Sequence, residues 1–424
     1  MSILALTLGV LGAALLAVLL VLGYIALKLP RLPAEIDSKW QTRYFMLQNG
    51  VFLFYLYVRG KLNGKPFLVN ARESAGSVFK PKPSVLPSSN IKSSVKNFDG
   101  VRVRFYEPIE RADSGDLPAL IFIHGGGFMF GSADMYDPVT RKMAETIKGI
   151  VISIDYRLAP ENPFPAGFDD CMTAIRHFGK NLAQFGVDPA RIAVCGDSAG
   201  ANLTAGLVQE LCSETKNSPN LIKPKLQVLL YPVLQMFDLE TPSYQKHNAA
   251  FGVTGGFLPT SSIAWMLPRY LTGAKDGAIT KALLKGSARA VAARESPVLR
   301  EVLNHSLVPM ALKYPGYKCL DEALVNDEDG KESWEKLRSF VLDHRINPLF
   351  AEELTGLPPA YIVTCDFDVL RDDGTMYAAR LRKAGVEAVL ENYVGALHGL
   401  MFFPQFKWGH EARKKFYTFL SENL

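Results

Sequence analysis

The stretch Ile192-Ala193-Val194-Cys195-Gly196-Asp197-Ser198-Ala199-Gly200 places a serine between an apolar run and a helix-like segment that begins at Ala201. A Gly-x-Ser-x-Gly sequence between a strand and a helix is typical of a nucleophile elbow, a strained turn that exposes its serine at the edge of a sheet. Glycines are expected on either side because larger side chains there would collide with neighbouring backbone. The amide of Ala199, at the start of the helix, could then bind an oxyanion. A simple glycine and serine loop gives the same pattern, so the interpretation depends on partners elsewhere.

The first partner is a glycine loop upstream. Ala119–Ile123 is an unbroken apolar run, as expected for a strand that is buried on both faces, and His124-Gly125-Gly126-Gly127-Phe128 follows it. Three consecutive glycines leave backbone amides unshielded, which suits donation to a developing negative charge. A flexible turn is the alternative. Combined with Ser198, the sequence predicts an oxyanion hole that includes Gly125, Gly126, Gly127 and Ala199.

An acid and a histidine follow downstream. Carboxylates crowd the loop after a predicted strand at Ala360–Thr364, and His398 comes just past another at Ala388–Tyr393. The order Ser, Asp, His is that of the α/β-hydrolase triad. Five of the other histidines are expected at the surface because their surroundings are polar or charged: His177, His247, His305, His344 and His410.

Several motifs together resemble one group of enzymes. They are the glycine loop, Tyr156-Arg157-Leu158-Ala159-Pro160-Glu161, the Ser198 pentapeptide, the Asp368–Gly374 segment and Tyr231-Pro232-Val233-Leu234-Gln235. The set is similar to the hormone-sensitive-lipase type of α/β hydrolases, and more narrowly to its arylacetamide deacetylase and neutral cholesterol ester hydrolase branch. The resemblance covers nearly the whole chain and selects Asp368 as the acid beside Ser198 and His398.

The resemblance implies a serine esterase, deacetylase or lipase-like enzyme that cleaves ester or amide bonds of lipophilic substrates and needs no metal or organic cofactor. The chain departs from the family pattern at three places. Ala201 replaces a usual third glycine, and Val394–Leu397 replaces an acidic, glycine-rich approach to His398. A disulfide of the deacetylase is not expected, because Met129 occupies one position and leaves Cys365 alone.

Composition narrows the class of protein. The chain has 424 residues, is 48% hydrophobic and carries a formal charge of +5 without a basic cluster, so nothing points to nucleic acid. Its five cysteines show no metal-like spacing and suggest no disulfide framework. No protein partner is evident.

Predicted strands alternate with helices from Val101 onwards, which indicates an α/β fold with a mostly parallel sheet flanked by helices. The alternation stops over residues 236–356, where we expect a helical cap that shapes the pocket. Phe251, Phe257, Trp265, Met266 and Leu267 are its candidate apolar residues. We therefore divide the chain into a membrane anchor at 1–29, a connecting and cap segment at 30–97, and a hydrolase domain at 98–424. Lys61–Asn97 is predicted to be irregular.

The N-terminal run Ile3–Leu27 is uncharged and would be about 37 Å long as a helix at 1.5 Å per residue. It can therefore cross a hydrocarbon core of roughly 30 Å with some tilt. A cleaved signal peptide fits less well, because the run is long and no basic segment precedes it. A second apolar stretch, Tyr44–Val58, is either a helix packed on the domain or one that lies on the bilayer beside the substrate entrance.

The expected location is the endoplasmic reticulum membrane, with the hydrolase domain in the lumen. Lys28 and Arg31 follow the apolar run and would by themselves favour the cytosol. The resemblance and the sequon at Asn304 point to the lumen, whereas a second sequon at Asn202 should be buried and unused. A non-catalytic binder or a membrane scaffold could share the fold, but the presence of all three triad residues argues against both.

Overall fold

The computed structural model describes residues 29–36, 38–78, 89–110, 116–215, 222–252, 257–319 and 328–424, together with Gly23, Ala26 and Leu27. The predicted anchor Ile3–Leu27 therefore lies almost wholly outside the described residues. Among the helices that are described, none is both long and apolar enough to cross a membrane.

Within the described residues, eight strands form a single sheet. They are β1 Ile91–Phe98, β2 Val101–Pro108, β3 Leu117–Ile123, β4 Ile150–Ile154, β5 Val187–Asp197, β6 Leu226–Leu230, β7 Ala360–Phe367 and β8 Ala388–Leu397.

Helices precede, connect and follow the strands. In chain order they are α1 Lys39–Asn63, α2 Phe67–Val78, α3 Asp137–Ile147, α4 Ala166–Lys180, α5 Leu182–Phe185, α6 Ala199–Thr215, α7 Pro242–Phe251, α8 Thr260–Thr272, α9 Gly277–Lys285, α10 Ala288–Glu295, α11 Pro297–Leu303, α12 Glu328–Val341, α13 Arg371–Lys383 and α14 Lys407–Asn423.

The sheet has the order β1-β2-β4-β3-β5-β6-β7-β8. The strand β2 pairs antiparallel with β1 and β4, and every neighbouring pair from β4 to β8 is parallel. The carboxyl ends of the parallel strands meet at one edge, where ligand sites of open α/β sheets form. The prediction of a mostly parallel sheet flanked by helices is confirmed.

The unbroken apolar pattern of β3 follows from burial on both faces. Ile121 and Ile123 belong to one core cluster, with helices α4 and α6, whereas Leu120 and Phe122 belong to a second one, with α3 and α14. Every residue of β3 is buried, so polar side chains have no place along it.

The segment predicted to be irregular contains regular structure. Helix α2 and strand β1 both lie within residues 61–98, so the sheet begins before residue 98. The strand has only Ile91, Val95 and Phe98 as large apolar residues, between lysines and serines, and Val95 is exposed. It is an edge strand with an exposed Lys92 and a half-buried Lys96 whose ammonium lies over the Phe105 ring. Lysines at such positions protect sheet edges but hide the alternation that predicts a strand.

Residues between β6 and β7 form the helices α7 to α12. The N-terminal segment packs on these residues near the ends of β7 and β8. The ring of Phe45 on α1 lies 5.1 Å from the ring of Phe257. Ile36 packs in one cluster with Phe251, Phe367 and Leu397.

The turn from β5 into α6 crosses the end of β3 at very short distance. A Cβ atom at Gly200 would lie 2.1 Å from the carbonyl oxygen of Ile123, and one at Gly196 would lie 2.3 Å from the carbonyl oxygen of Gly200. Both partners are backbone atoms that cannot rotate away. These two glycines are therefore a packing requirement of the turn that holds Ser198.

The alanine variant of Gly200 tests this requirement. We expect Gly200→Ala to lower the free energy of unfolding by about 3 kcal/mol or more, because the backbone of β3 must move to admit a methyl group. Gly277→Ala is the control, since a Cβ atom at this helical position meets nothing within 4 Å. It should change stability by less than about 1 kcal/mol. Equal denaturation midpoints for the two variants would contradict the packing argument.

Candidate active site

Ser198 occupies the turn between β5 and α6 with a left-handed backbone, φ 53°. Its amide donates to the Leu230 carbonyl at 2.8 Å, which fixes the turn against β6. A non-glycine residue with positive φ is strained, and the glycine contacts described above hold it there. The hydroxyl thus faces the cavity at the carboxyl edge of the sheet.

The three residues predicted as a triad meet in space. The Ser198 Oγ lies 2.9 Å from Nε2 of His398, and Nδ1 of His398 lies 2.6 Å from Oδ2 of Asp368. The other oxygen of Asp368 accepts the Leu370 amide at 3.0 Å. Both Asp368 and His398 are buried. In this arrangement the carboxylate fixes the imidazole with its Nε2 lone pair directed at the serine hydroxyl.

The glycine loop is close to Ser198, but its three glycines differ. Gly126 and Gly127 line the same cavity as Ser198 and Ala199. Gly125 does not fit the predicted oxyanion hole: its amide donates to Oδ1 of Asp197 at 2.7 Å and is therefore occupied. The donors available for an oxyanion are reduced to Gly126, Gly127 and Ala199.

Asp197 is a buried carboxylate beneath the site that sequence reasoning did not single out. Besides Gly125, it accepts the hydroxyl of Tyr136 at 3.1 Å and that of Tyr231 at 3.5 Å. The ring of Tyr231 meets the His398 imidazole edge-on, with centroids 5.1 Å apart. Burial raises the pKa of Asp197 to about 6, although its hydrogen-bond donors oppose this rise. Asp197 therefore links the glycine loop to Tyr231, whose ring packs against His398.

The remaining acids of the Asp368 loop have structural partners. Asp366 pairs with Lys246 at 2.7 Å. Asp372 accepts the Ser243 amide at 2.6 Å, and Asp373 accepts the Leu234 amide at 2.9 Å. Neighbours of a triad acid can remain solvated or cap the helix that follows, but Asp372 and Asp373 are both fully buried and bind the segment that leads into the cap.

A cavity of about 570 Å³ opens above Ser198. Its walls are mainly apolar and come from the glycine loop, the cap and the segments after β6 and β8; they include Phe130, Val233, Phe257, Ile263, Met266, Leu267 and Phe403. Three of the five predicted cap residues are among the lining. The other two lie elsewhere: Phe251 packs on Phe367, and Trp265 stacks under Arg269. The size and lining suit a small lipophilic molecule or the acyl part of a larger one.

Two histidines predicted at the surface are buried. His305 lies between Oδ2 of Asp238, at 2.6 Å, and the Tyr317 hydroxyl, at 3.0 Å. Burial raises the pKa of Asp238, but the charges of Arg289 and His305 outweigh burial and lower it overall. Burial also lowers the pKa of His247 to about 4, so this residue is neutral at pH 7. Polar neighbours in sequence therefore do not indicate exposure here, because the partners of His305 are distant along the chain.

The two sequons differ in exposure. The Asn304 side chain is exposed, and its Oδ1 accepts the Ser306 amide at 2.8 Å. Asn202 is fully buried, and its side-chain amide donates to the carbonyls of Val233 and Ile346. Its expected burial is confirmed. None of the five cysteines, all of which lie in the described residues, forms a disulfide.

The sheet order, the serine on its strand-to-helix turn and the hydrogen-bonded triad define the class of protein: an α/β hydrolase. Comparison with known proteins agrees. The family model described as alpha/beta hydrolase fold matches residues 120–299 and 287–402.

Individual relatives indicate the branch of the α/β hydrolases to which the chain belongs. Arylacetamide deacetylase of Bos taurus is 36% identical and aligns over 97% of this chain and 98% of its own length. Neutral cholesterol ester hydrolase 1 of Bos taurus is 35% identical over 81% of this chain and 83% of its own. The solved structure of a bacterial heroin esterase is similar, with a TM-score of 0.59 and 26% identity over 84% of this chain and 92% of that one. The chain belongs to the α/β-hydrolase family, in the esterase-type branch that includes arylacetamide deacetylase and neutral cholesterol ester hydrolase.

Two substitutions test whether Asp197 positions the glycine loop. Asp197→Ala leaves the Gly125 amide without its acceptor, and we expect turnover of a soluble ester to fall about 10² to 10³-fold. Asp197→Asn keeps one acceptor oxygen for Gly125, while its amide can donate to the two tyrosines. It should therefore restore turnover to within about tenfold of wild type. Steady-state kinetics should place the loss in kcat more than in KM. Equal losses in both variants, or none in Asp197→Ala, would contradict this role.

Proposed function

We propose that this protein is a serine hydrolase that cleaves ester or amide bonds of lipophilic substrates through an acyl-enzyme. The proposal rests on one observation. Asp368, His398 and Ser198 form a hydrogen-bonded series, and the serine at its end lies at the floor of an apolar cavity. A purely structural role of Ser198, or a pocket that only binds, would not require a serine in a strained, left-handed turn.

The first half of the reaction transfers the acyl group. His398 takes the Ser198 proton through Nε2 as Oγ attacks the carbonyl carbon, and Asp368 stabilises the resulting imidazolium. The carbonyl oxygen becomes an oxyanion that accepts hydrogen bonds from the amides of Gly126, Gly127 and Ala199. The N-terminus of α6 adds the favourable end of its dipole. His398 then returns the proton to the leaving alcohol or amine.

The second half restores the enzyme. Water attacks the acyl-enzyme carbonyl while His398 takes its proton, the same amides hold the second oxyanion, and the carboxylic acid leaves as Ser198 regains its hydrogen. Apart from the substrate and water, all the groups that act in these steps belong to the chain, so the proposed reaction uses neither a metal nor an organic cofactor.

The substrate class follows from the cavity. Aromatic and aliphatic walls favour an apolar acyl or alcohol group over a charged one. The names of two relatives, an arylacetamide deacetylase and a neutral cholesterol ester hydrolase, agree with lipophilic amides or esters. We extend this class to the present chain.

We also propose that Ile3–Leu27 anchors the protein in the endoplasmic reticulum membrane, with the hydrolase domain in the lumen. The uncharged length of the run supports an anchor, and the exposed Asn304 side chain supports a lumenal acceptor for glycosylation. The basic residues after the run argue for the opposite orientation, so the sequon supplies the deciding test.

Glycosylation at Asn304 distinguishes the two orientations. In mammalian cells, the full chain should shift to lower mass on treatment with an endoglycosidase, and Asn304→Gln should abolish that shift. The intact sequon at Asn202 serves as an internal control, because its buried side chain should carry no glycan. No shift for the wild type, together with digestion of the domain by protease in intact microsomes, would place it on the cytosolic side.

The identity of the acid is tested by a matched pair. Asp368→Asn should lower turnover of a soluble ester by about 10⁴, because the amide no longer fixes the correct tautomer of His398. Asp366→Asn makes the same chemical change two residues away, on a buried side chain that pairs with Lys246 and Arg371, and it should lower turnover by less than about tenfold. Losses at Asp372 and Asp373 should also be smaller than at Asp368. A greater loss for Asp366→Asn than for Asp368→Asn would overturn the assignment.

A further inference from the structure

Helix α1 exposes an apolar stripe along its length. Trp40, Tyr44, Tyr55 and Leu62 are 85%, 64%, 48% and 84% exposed. Together with the half-buried Val51 and Val58 they follow spacings of four, seven, four, three and four residues, which place them on one side of a helix. Isolated apolar side chains are common on surfaces, but a continuous stripe that contains aromatic residues marks an interaction surface.

The opposite side of α1 packs on the domain next to the cavity. Thr42, Met46 and Leu56 are its buried residues. On the same helix, the Phe45 ring lies 5.1 Å from Phe257 and 4.6 Å from Phe403, and both of these line the cavity above Ser198. The helix therefore packs behind two residues of the cavity wall, and its apolar stripe lies on the side opposite its buried residues.

The chemistry of the stripe fits a bilayer better than a second copy of the chain. Trp40, Tyr44 and Tyr55 are of the residue types that favour the headgroup level of membranes. Exposed Lys39, Arg43 and Lys61 accompany the stripe and would complement phosphate headgroups. In a symmetric pair of α1 helices, these like charges would instead add repulsion at the rim of the interface.

The position of the stripe in the chain also favours a bilayer as its partner. The uncharged run ends at Leu27, and residues 28–38 can span at most about 40 Å when extended. A helix that starts at Lys39 is thus tethered within reach of the bilayer that the run would cross. This tether makes contact with the membrane effectively intramolecular.

We propose that α1 lies in the bilayer interface on its Trp40, Tyr44, Tyr55 and Leu62 side and holds the cavity mouth at the membrane, so that lipophilic substrates reach Ser198 from the lipid phase. This inference rests on the proposed hydrolase function. It adds the source of the substrate, which neither the triad nor the anchor specifies.

Kinetics with two substrates test the inference. The full chain is reconstituted in phosphatidylcholine vesicles and compared on p-nitrophenyl acetate, which is water-soluble, and on a long-chain ester dissolved in the bilayer. In the variant with Tyr44→Glu and Leu62→Glu, we expect hydrolysis of the bilayer ester to fall about tenfold or more, with hydrolysis of the soluble ester unchanged. Val95→Glu with Met310→Glu adds the same charge at exposed positions away from α1 and should alter neither rate.

The outcomes separate this inference from the proposed function. An unchanged ratio of the two rates in the α1 variant, with hydrolysis intact, would overturn only the membrane contact. Absence of hydrolysis of either ester by the wild type would instead overturn the proposed function.

A spectroscopic measurement keeps the inference testable if the double variant fails to fold. Trp334 and Trp408 are buried and Trp265 is partly buried, which leaves Trp40 as the fully exposed tryptophan of the four. In vesicles whose phosphatidylcholine carries bromine on its acyl chains, fluorescence of the wild type should be quenched, and Trp40→Phe should lose most of that quenching. Equal quenching of the two proteins would contradict the placement of α1.

Discussion

The close contact between the Gly200 position and the carbonyl oxygen of Ile123 is the constraint on which the site depends. It lets the turn after β5 pass directly over the end of β3, so that Ser198 is held in a left-handed conformation between the two strand ends. The same approach brings the glycine loop after β3 next to the serine. A nucleophile and its oxyanion donors thus come together through backbone packing alone, before any catalytic side chain is considered.

Polar side chains beneath this turn connect it to the surrounding loops. Asp197 ties Gly125 to Tyr136 and Tyr231, and Tyr231 contacts the His398 ring. In the neighbouring loop, Asp372 and Asp373 bind the chain that leads into the cap. Because unpaired buried carboxylates are costly, these bonds fix the loops relative to one another and to the cavity walls. The triad is therefore one part of a larger buried network.

Local sequence was sufficient to predict the strands that are buried on both faces and the order of the catalytic motifs. It did not predict the surroundings of residues whose partners are distant in sequence. His305 looks like a surface residue until Asp238 and Tyr317 are placed around it, and nothing near Gly125 shows that Asp197 takes its amide. Strand β1 was missed since an edge strand gains its stability from one neighbour and needs few apolar residues. One signal was available for Asp197: a carboxylate at the end of a wholly apolar strand requires buried partners.

Covalent labelling is the most direct test of Ser198 as the nucleophile. The purified chain is treated with a fluorophosphonate, digested and mapped by mass spectrometry, and Ser198→Ala is treated in parallel after its fold has been verified by circular dichroism. We expect a single adduct, on the peptide that contains Ser198. Ser198→Ala should show neither adduct nor measurable ester hydrolysis, since loss of a triad nucleophile costs on the order of 10⁶ in turnover. An adduct on another residue, or retention of more than a few per cent of the hydrolysis rate by Ser198→Ala, would contradict this assignment.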